Sequence, residues 1–235
     1  VMNYFIGTSG WSYDDWKGKF YPEGVAKRKW LQYYTTQFNT VEINATFYRR
    51  FQPKTYQGWA EKAGDGFKYV VKAPQLITHR KFLKDAEDNC KEFAEASSHL
   101  GDKFGLILLQ LHPKMPFEPE RLRNCIEALG QPDKVAVEFR NEQWDNDETF
   151  ELLRELGAIY VNVDSPKQLL TAYSTSDTAY FRLHGRKEWY KYDYTDDEMR
   201  ELAGKVRSLP ENAGTVYILF NNDVNTYGVE NARTV

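Results

Sequence analysis

The sequence has few cysteines and no long apolar run. Cys90 and Cys125 are its two cysteines among 235 residues, and neither has the spacing of a metal-ligand or redox motif. We therefore expect two reduced thiols in a cytoplasmic protein. No apolar run reaches the roughly 18 residues that a membrane span needs, so no membrane partner is expected. The first strand starts near Tyr4, and we expect no leader sequence before it.

The chain also lacks an excess of positive charge and the common nucleotide-binding motifs. A formal net charge of −3 argues against a protein that coats nucleic acid or an anionic membrane, so extended nucleic-acid binding has no support. The sequence contains no glycine-rich phosphate loop, dinucleotide fingerprint or nucleophile elbow. No linker-like tract of Gly, Ser or Pro divides it, which predicts a single domain over residues 1–235.

The sequence does contain a regular alternation of strand and helix patterns. Short runs rich in β-branched and aromatic residues predict eight strands at Tyr4–Thr8, Thr40–Asn44, Phe67–Lys72, Phe104–Leu111, Lys134–Arg140, Ile159–Asp164, Ala179–His184 and Thr215–Asn221. Helical patterns cover Lys27–Phe38, Thr55–Ala63, Asp85–Leu100, Pro119–Leu129, Asp147–Leu156 and Thr195–Leu209, with a possible helical turn at Ser165–Leu170 and an eighth helix from about Tyr227. Strict alternation predicts right-handed parallel crossovers, and eight such units favour a closed (β/α)8 barrel of the TIM type.

Polar residues gather at the C-terminal ends of these predicted strands. Successive residues of a strand point to opposite faces, so counting from the apolar positions predicts which side chains face the barrel lumen. The polar side chains counted as inward are Thr8, Glu42, Asn44, Lys72, Gln110, Glu138, Arg140, Asp164, Arg182, His184 and Asn221. Barrel interiors normally hold branched apolar residues, and buried charges are costly unless paired. A ligand site at the C-terminal mouth explains these charges better than an internal ion-pair network, which stays the alternative.

Cations and aromatic rings follow the same strand ends. Cationic clusters begin at Arg49, His79 and Arg186 in the loops, and Arg140 and Arg182 lie on strands. Together they favour an anionic ligand such as phosphate, sulfate or carboxylate. Aromatic side chains in these loops include Trp11, Tyr13, Phe47, Tyr48, Trp189 and Tyr190. Such rings suit stacking on a nucleobase or sugar, although a hydrophobic lid packed under a loop explains them equally well.

The predicted site has the groups that acid/base catalysis needs. The candidate catalytic residues are Glu42, Lys72, Glu138, Asp164 and His184. The candidate ligand-binding residues are Thr8, Trp11, Tyr13, Asn44, Tyr48, Arg49, His79, Gln110, Arg140, Arg182, Asn221 and Asn222. No cofactor is identified, and a divalent metal is an alternative that we do not favour, because one inward histidine and no H-x-x-H motif are present. Lys72 could form a Schiff base if its pKa were depressed, although an ion pair is the commoner role for such a lysine.

Several motifs resemble one protein family. The segments 7–22 (GTSGWSYDDWKGKFYP) and 40–49 (TVEINATFYR) are similar to the first two motifs of the YecE-like family, known as domain of unknown function seventy-two. Val71–Pro74, Ile77–His79, Gln110–Leu111, Glu138–Arg140 with Trp144, Asp164–Pro166, His184–Gly185 and Phe220–Asn222 continue the match in order. The resemblance implies a TIM-type barrel with its site at the C-terminal mouth. Because the family has no assigned activity, it implies no reaction.

We therefore expect an enzyme that applies acid/base chemistry to a small anionic or phosphate-bearing substrate. The phosphoester of a nucleotide or nucleic-acid end, or a sugar phosphate, is the expected substrate class, and the expected partner is accordingly a small anionic ligand or nucleotide. One alternative is a non-catalytic protein that binds an anionic ligand or acts in regulation. Another is a metal-dependent endonuclease or a sugar isomerase.

Overall fold

Eight parallel strands pair in sequence order and close into a barrel in the computed structural model, which describes residues 2–235. The strands are β1 (Asn3–Ser9), β2 (Thr40–Ile43), β3 (Lys68–Lys72), β4 (Phe104–Gln110), β5 (Val135–Glu138), β6 (Ile159–Asp164), β7 (Thr178–Leu183) and β8 (Thr215–Phe220). The barrel closes where β1 pairs with β8, with Tyr4 opposite Val216. The predicted (β/α)8 fold of the TIM type is confirmed, and Val1 of the predicted domain lies outside the described residues.

Helices connect most of the strands and surround the barrel. They are α1 (Trp30–Gln37), α2 (Ala45–Tyr48), α3 (Pro53–Glu61), α4 (Glu87–Ser98), α5 (Pro119–Ala128), α6 (Asp147–Leu156), α7 (Asp196–Arg207) and α8 (Tyr227–Thr234). The predicted helices are confirmed with shifts of a few residues at their ends, while the short α2 was not predicted. No helix within residues 2–235 is long and apolar enough to cross a membrane.

Local signals in the sequence explain where several helices begin and end. The Thr195 hydroxyl accepts a hydrogen bond from the Glu198 N–H, and the Glu198 carboxylate accepts one from the Thr195 N–H, which together form a capping box at α7. The Asn146 side chain accepts a hydrogen bond from the Thr149 N–H at 2.9 Å and caps α6. Gly157 then ends α6 in the left-handed region with φ of 70°, where a side chain would be strained.

The lumen is divided into an apolar lower layer and a charged upper layer. The apolar layer contains Phe5, Val70, Leu106, Leu108, Ala136, Ile159, Val161, Val163, Tyr180, Tyr217 and Leu219. Above it, towards the C-terminal ends of the strands, lie the buried side chains of Glu42, Glu138 and Arg182. The apolar layer closes the lower lumen, as in other packed barrels. A ligand can therefore reach the charged layer only from the C-terminal mouth.

The predicted inward direction is wrong for Asp164 on β6. Val161 and Val163 face the lumen, so Asn162 and Asp164 face outwards. The segment after β6 forms an isolated bridge between Ser165 and Gln168 instead of the expected helical turn. The irregular chain that follows needs hydrogen-bond partners for its backbone. Asn162 supplies them, because its Oδ1 accepts from the Tyr173 N–H at 2.8 Å and its Nδ2 donates to the Tyr173 carbonyl at 3.0 Å.

Thr8 on β1 is also turned away from the lumen, contrary to prediction. Phe5 on the same strand packs in the lumen, which places Ile6 and Thr8 on the outer face. The Thr8 backbone N–H donates to the Tyr34 hydroxyl of α1 at 2.8 Å, and the Thr8 hydroxyl donates to the same oxygen at 2.9 Å. The polar side chain of Thr8 therefore joins β1 to α1.

Candidate functional site

A buried ion-pair network from three strands forms the floor of the site. Arg182 on β7 donates from Nη2 to Glu42 Oε1 at 2.6 Å and from Nε to Glu42 Oε2 at 3.0 Å. Its Nη1 donates to Glu138 Oε2 on β5, and the Tyr180 hydroxyl donates to Glu42 Oε2 at 2.5 Å. Burial alone would raise the pKa of both carboxyls, but Arg182 and the other donors and cations around them together outweigh it. They hold the pKa of Glu42 below, and of Glu138 well below, the ordinary value. Both carboxylates are thus ionised and paired.

This network changes the role expected for Arg182. Nε, Nη1 and Nη2 of Arg182 all bind protein carboxylates, and the side chain is 1% exposed. A guanidinium fork that is already occupied cannot also clamp a ligand anion through parallel hydrogen bonds. The predicted anion clamp therefore does not include Arg182, whose charge instead holds β2, β5 and β7 together across the lumen.

His184 extends the floor at the end of β7. Asn221 Nδ2 lies 2.9 Å from His184 Nδ1, and His184 Nε2 lies 3.5 Å from Glu138 Oε1. An amide N–H facing Nδ1 places the ring proton of the neutral imidazole on Nε2. Burial and then the nearby Arg182 lower the pKa of His184 to about 4, although Glu138 opposes them. His184 is therefore a neutral imidazole at pH 7.

A cavity of about 680 Å³ lies above this floor. Nine of the predicted site residues line it, namely Tyr13, Asn44, Tyr48, Lys72, His79, Gln110, Arg140, Arg182 and Asn221. They come from seven different strand–loop segments that are far apart in sequence, and the closed barrel brings them together. Glu42, Glu138 and His184 are completely buried and support the cavity from below.

Two cations of the cavity wall have unused hydrogen-bonding capacity. Lys72 Nζ lies 4.2 Å from the centroid of the Phe47 ring, and it has neither an ion pair nor a hydrogen bond with any residue in 2–235. Arg140 donates from Nε to Glu138 Oε1 at 2.9 Å, whereas its Nη1 and Nη2 have no partner in the described chain. The Arg140 guanidinium is 5.0 Å from the Trp189 ring centroid. These two side chains, unlike Arg182, can reach a ligand.

Burial depresses the pKa of the Lys72 ammonium to about 8. Arg182 is the second cause, because it repels the ammonium, while Glu42 and Glu138 partly oppose the shift. The pKa of His79 on the same wall is lowered to about 4, first by burial and then by His112. Lys72 therefore exchanges a proton just above neutral pH, and His79 is neutral there.

Asp223 is a wall residue that the sequence analysis missed. It lies three residues after the end of β8 and lines the cavity, as do Trp189, Tyr190 and Lys191 after β7. Burial raises the pKa of its carboxyl to about 6, against the effect of a hydrogen bond from Tyr13. Its position just beyond the C-terminal end of a strand was the signal that could have identified it, since that is where sites of such barrels lie.

Comparison with known protein families identifies the family of this chain. Residues 5–235 match the family described as "Protein of unknown function DUF72". The chain belongs to this family. It is 25% identical to the UPF0759 protein YunF of Bacillus subtilis over 97% of the chain and 92% of that protein. It is 30% identical to the UPF0759 protein YecE of Escherichia coli K12, over 60% of the chain and 49% of that protein.

A solved DUF72 structure has the same fold as this chain. The DUF72 family protein from Thermotoga maritima superposes with a TM-score of 0.88 and 31% sequence identity, covering 98% of this chain and 96% of that one. The resemblance to the YecE-like family is therefore confirmed, together with the barrel architecture that it implied.

Five predicted site residues of this DUF72 chain lie outside the cavity wall. They are Thr8, Trp11, Arg49, Asp164 and Asn222. Trp11 packs edge-on against Trp59 with ring centroids 6.3 Å apart, and Arg49 covers the Phe51 ring at 4.6 Å. These two contacts are packing of aromatic and cationic side chains under loops, which was the alternative explanation for the aromatic clusters.

The two polar residues Asp164 and Asn222 serve the outer layer of the DUF72 barrel instead. Asp164 Oδ2 accepts a hydrogen bond from Arg186 Nε at 2.9 Å, so the loop cation Arg186 is also unavailable to a ligand in the cavity. Asn222 is completely buried and donates to the Tyr192 carbonyl at 2.7 Å and to Asn231 Oδ1 at 2.8 Å. Within residues 2–235, no three His, Cys, Asp or Glu side chains are grouped as metal ligands.

Two buried polar atoms at the mouth have no hydrogen-bond partner among the described residues. They are the Ser9 hydroxyl oxygen and Asn44 Oδ1. Ser9 is paired with Glu42 in the register of β1 and β2, and Asn44 lines the cavity. A buried polar atom without a partner carries a cost that a bound hydroxyl or amino group can remove. Both atoms are shielded from solvent, so neither is itself exposed to the cavity.

Proposed function

We propose that this protein is an enzyme that binds a small phosphate-bearing substrate at the C-terminal mouth and transforms it by acid/base chemistry. The observation that carries the proposal is the free donor capacity of two wall cations, because Lys72 Nζ and the Nη1 and Nη2 of Arg140 have no partner within residues 2–235, while Arg182 is fully bound by carboxylates. Glu42 and Glu138 carry two negative charges, which Arg182 and Arg140 balance. Lys72 is therefore a cation beyond what this ion-pair network needs. Cations left with free donors in a cavity are suited to an anion.

Arg140 is the best-placed residue to hold the phosphate. Its Nε is fixed by Glu138 at 2.9 Å, and stacking near Trp189 orients the guanidinium plane. Nη1 and Nη2 then form a fork that fits two oxygens of one phosphate. Glu138, itself fixed by Arg182, thus acts as a positioning residue that aims Arg140 at the mouth.

Asp223 and Lys72 are the groups suited to proton transfer. Their pKa values of about 6 and about 8 lie on either side of neutral pH, where a general base and a general acid are both effective. His184, Glu42 and Glu138 have pKa values too low for proton exchange at pH 7, so their part is to fix the charged floor. The amides of Gln110 and Asn221, which line the cavity, suit the hydroxyls of a sugar or nucleoside.

The test is turnover of phosphorylated compounds compared with their unphosphorylated counterparts. The purified protein is incubated with sugar phosphates, nucleotides and the matching free sugars and nucleosides, and products are followed by NMR and mass spectrometry. We expect turnover only among the phosphorylated compounds, and a loss of about 10²-fold or more in Asp223→Asn, as for removal of a general acid or base. Saturable phosphate binding without turnover would instead indicate the non-catalytic alternative and overturn the enzymatic proposal.

A further inference from the structure

Lys72 has the surroundings of a reactive amine. It ends β3 at the cavity wall with its ammonium against the face of Phe47, and both nearby carboxylates, Glu42 and Glu138, bind Arg182 instead. We propose that Lys72 is the nucleophile of this site and forms a Schiff base with an aldehyde or ketone that carries a phosphate. The phosphate part of this inference rests on the proposed function, whereas the reactivity of Lys72 does not.

Another buried lysine of the same chain shows what a structural role looks like. Lys103 is 7% exposed, and its Nζ donates to the Gly64 carbonyl at 2.8 Å and lies 3.4 Å from Asp102 Oδ2 and 3.8 Å from Asp65 Oδ1. Oxygen atoms thus surround its charge. Lys72 has no such oxygen partner within the described residues, although it lies at the charged layer of the lumen. An ammonium without oxygen partners is poorly stabilised and gives up its proton more easily.

The electrostatic environment of Lys72 also favours the neutral amine. Burial and the neighbouring Arg182 lower the pKa of Lys72 to about 8, so roughly a tenth of the side chain is a neutral amine at pH 7. An exposed lysine near the reference pKa has a neutral fraction roughly two orders of magnitude smaller. Desolvation and a nearby cation are the two means by which enzymes activate a lysine for addition to carbonyl groups.

The step is balanced without any further reagent. The Nζ lone pair attacks the carbonyl carbon and forms a C–N bond, while the carbonyl π electrons move to oxygen, which takes up a proton. Loss of this oxygen as water, with both amine hydrogens, leaves the C=N bond of the Schiff base. Asp223 lines the same cavity, and its pKa of about 6 allows it to donate and recover the proton. Arg140 is on the wall to hold the phosphate of the same compound.

Reductive trapping tests the inference on the wild-type protein. Glycolaldehyde phosphate and cyanoborohydride are added at pH 7 for a short time, and each modified lysine is quantified by peptide mass mapping. We expect Lys72 to be labelled at least about tenfold faster than the exposed Lys54 and the paired Lys103, because a larger fraction of Lys72 is neutral amine. Equal labelling of Lys72 and Lys54 would overturn the proposal.

Two further experiments distinguish the reactivity of the Lys72 amine from recognition of the phosphate. Glycolaldehyde without the phosphate reports the reactivity of Lys72 alone. Selective labelling of Lys72 by both aldehydes at the same rate would support the Schiff base and contradict phosphate recognition. Lys72→Arg should abolish the selective label, whereas Lys103→Arg should keep it at Lys72; a selective label that persists in Lys72→Arg belongs to another residue and excludes the inference.

Discussion

Single residues of this site titrate in different pH ranges because burial shifts the pKa of each from a different ordinary value. Asp223 and Lys72 on the wall have pKa values of about 6 and about 8, and His184 on the floor has a pKa of about 4. Burial favours the neutral form of all three. The carboxyl group is therefore shifted upwards and the two bases downwards. Asp223 and Lys72 consequently exchange protons near neutral pH, whereas His184 does not.

The low pKa of His184 makes a prediction about acid stability. The unfolded chain binds a proton at this histidine below about pH 6.5, whereas the folded chain binds it only near pH 4. The stability that His184 contributes is therefore complete above pH 6.5 and is lost as the pH falls towards 4. Between pH 7 and pH 4, we expect wild type to lose up to about 3 kcal/mol relative to His184→Asn.

The comparison with the variant is needed because Asp223 titrates in the same range with the opposite effect. Its raised pKa means that the folded chain takes up a proton before the unfolded chain does, which stabilises the fold at low pH. This contribution is present in both proteins and cancels in the difference. Denaturant unfolding of both proteins at several pH values measures this difference in the free energy of unfolding. Curves of wild type and His184→Asn that run parallel from pH 7 to pH 4 would contradict the assignment.

At the scale of elements, contacts on the outer faces of the strands explain which predictions of side-chain direction were correct. Counting inward and outward positions gave the correct faces of β2, β5 and β7. It failed at β6, because an irregular segment covers the outer face and needs the polar Asn162 as a partner. It failed at β1, because Thr8 binds the Tyr34 hydroxyl of α1. In both cases a polar residue on the outer face satisfies a partner that the strand pattern does not reveal.

The turn after β7 gives a prediction for one element. Gly185 has φ of 101°, and a Cβ atom there would lie 2.5 Å from the Glu188 carbonyl oxygen and 2.7 Å from the Tyr192 Cβ. Gly185→Ala should therefore destabilise the protein by more than the ~1 kcal/mol typical of point mutants. Gly204 lies within α7 with open space around it. Gly204→Ala should stabilise by about 0.5–1 kcal/mol. Similar unfolding midpoints for both variants would contradict the turn geometry.

At the scale of the whole molecule, one ion-pair network ties opposite sides of the barrel together. Glu42, Glu138 and Arg182 come from β2, β5 and β7 and are at most 1% exposed. Glu138→Gln removes one of the two negative charges that balance Arg182 and Arg140, so we expect a loss of about 3–5 kcal/mol in denaturant unfolding. The matched control is Glu155→Gln, which breaks an exposed pair with Arg123 and should cost less than about 1 kcal/mol. Equal costs would show that the lumen is as well solvated as the surface.

Much of the whole architecture could be predicted, because strand–helix alternation follows from local patterns. The convergence of Glu42, Lys72, Glu138 and Arg140 also followed, since the closed barrel brings all strand ends to one rim. The pairing among the charges could not be predicted. Which cation is neutralised depends on distances across the lumen, and these place Arg182, rather than Arg140, between the two carboxylates. The proposed anion site therefore includes one arginine, Arg140, where the sequence had predicted two.

The central claim is that Arg140 and its surroundings bind a phosphate-like anion. Isothermal titration calorimetry with inorganic phosphate, at constant ionic strength maintained with chloride, measures this binding directly. We expect one saturable site in wild type, a loss of about tenfold or more in affinity for Arg140→Lys because a lysine cannot form the two-pronged contact, and no change for the surface control Arg123→Lys. Wild-type heats no larger than those of Arg140→Lys, or no saturable binding at all, would contradict the account.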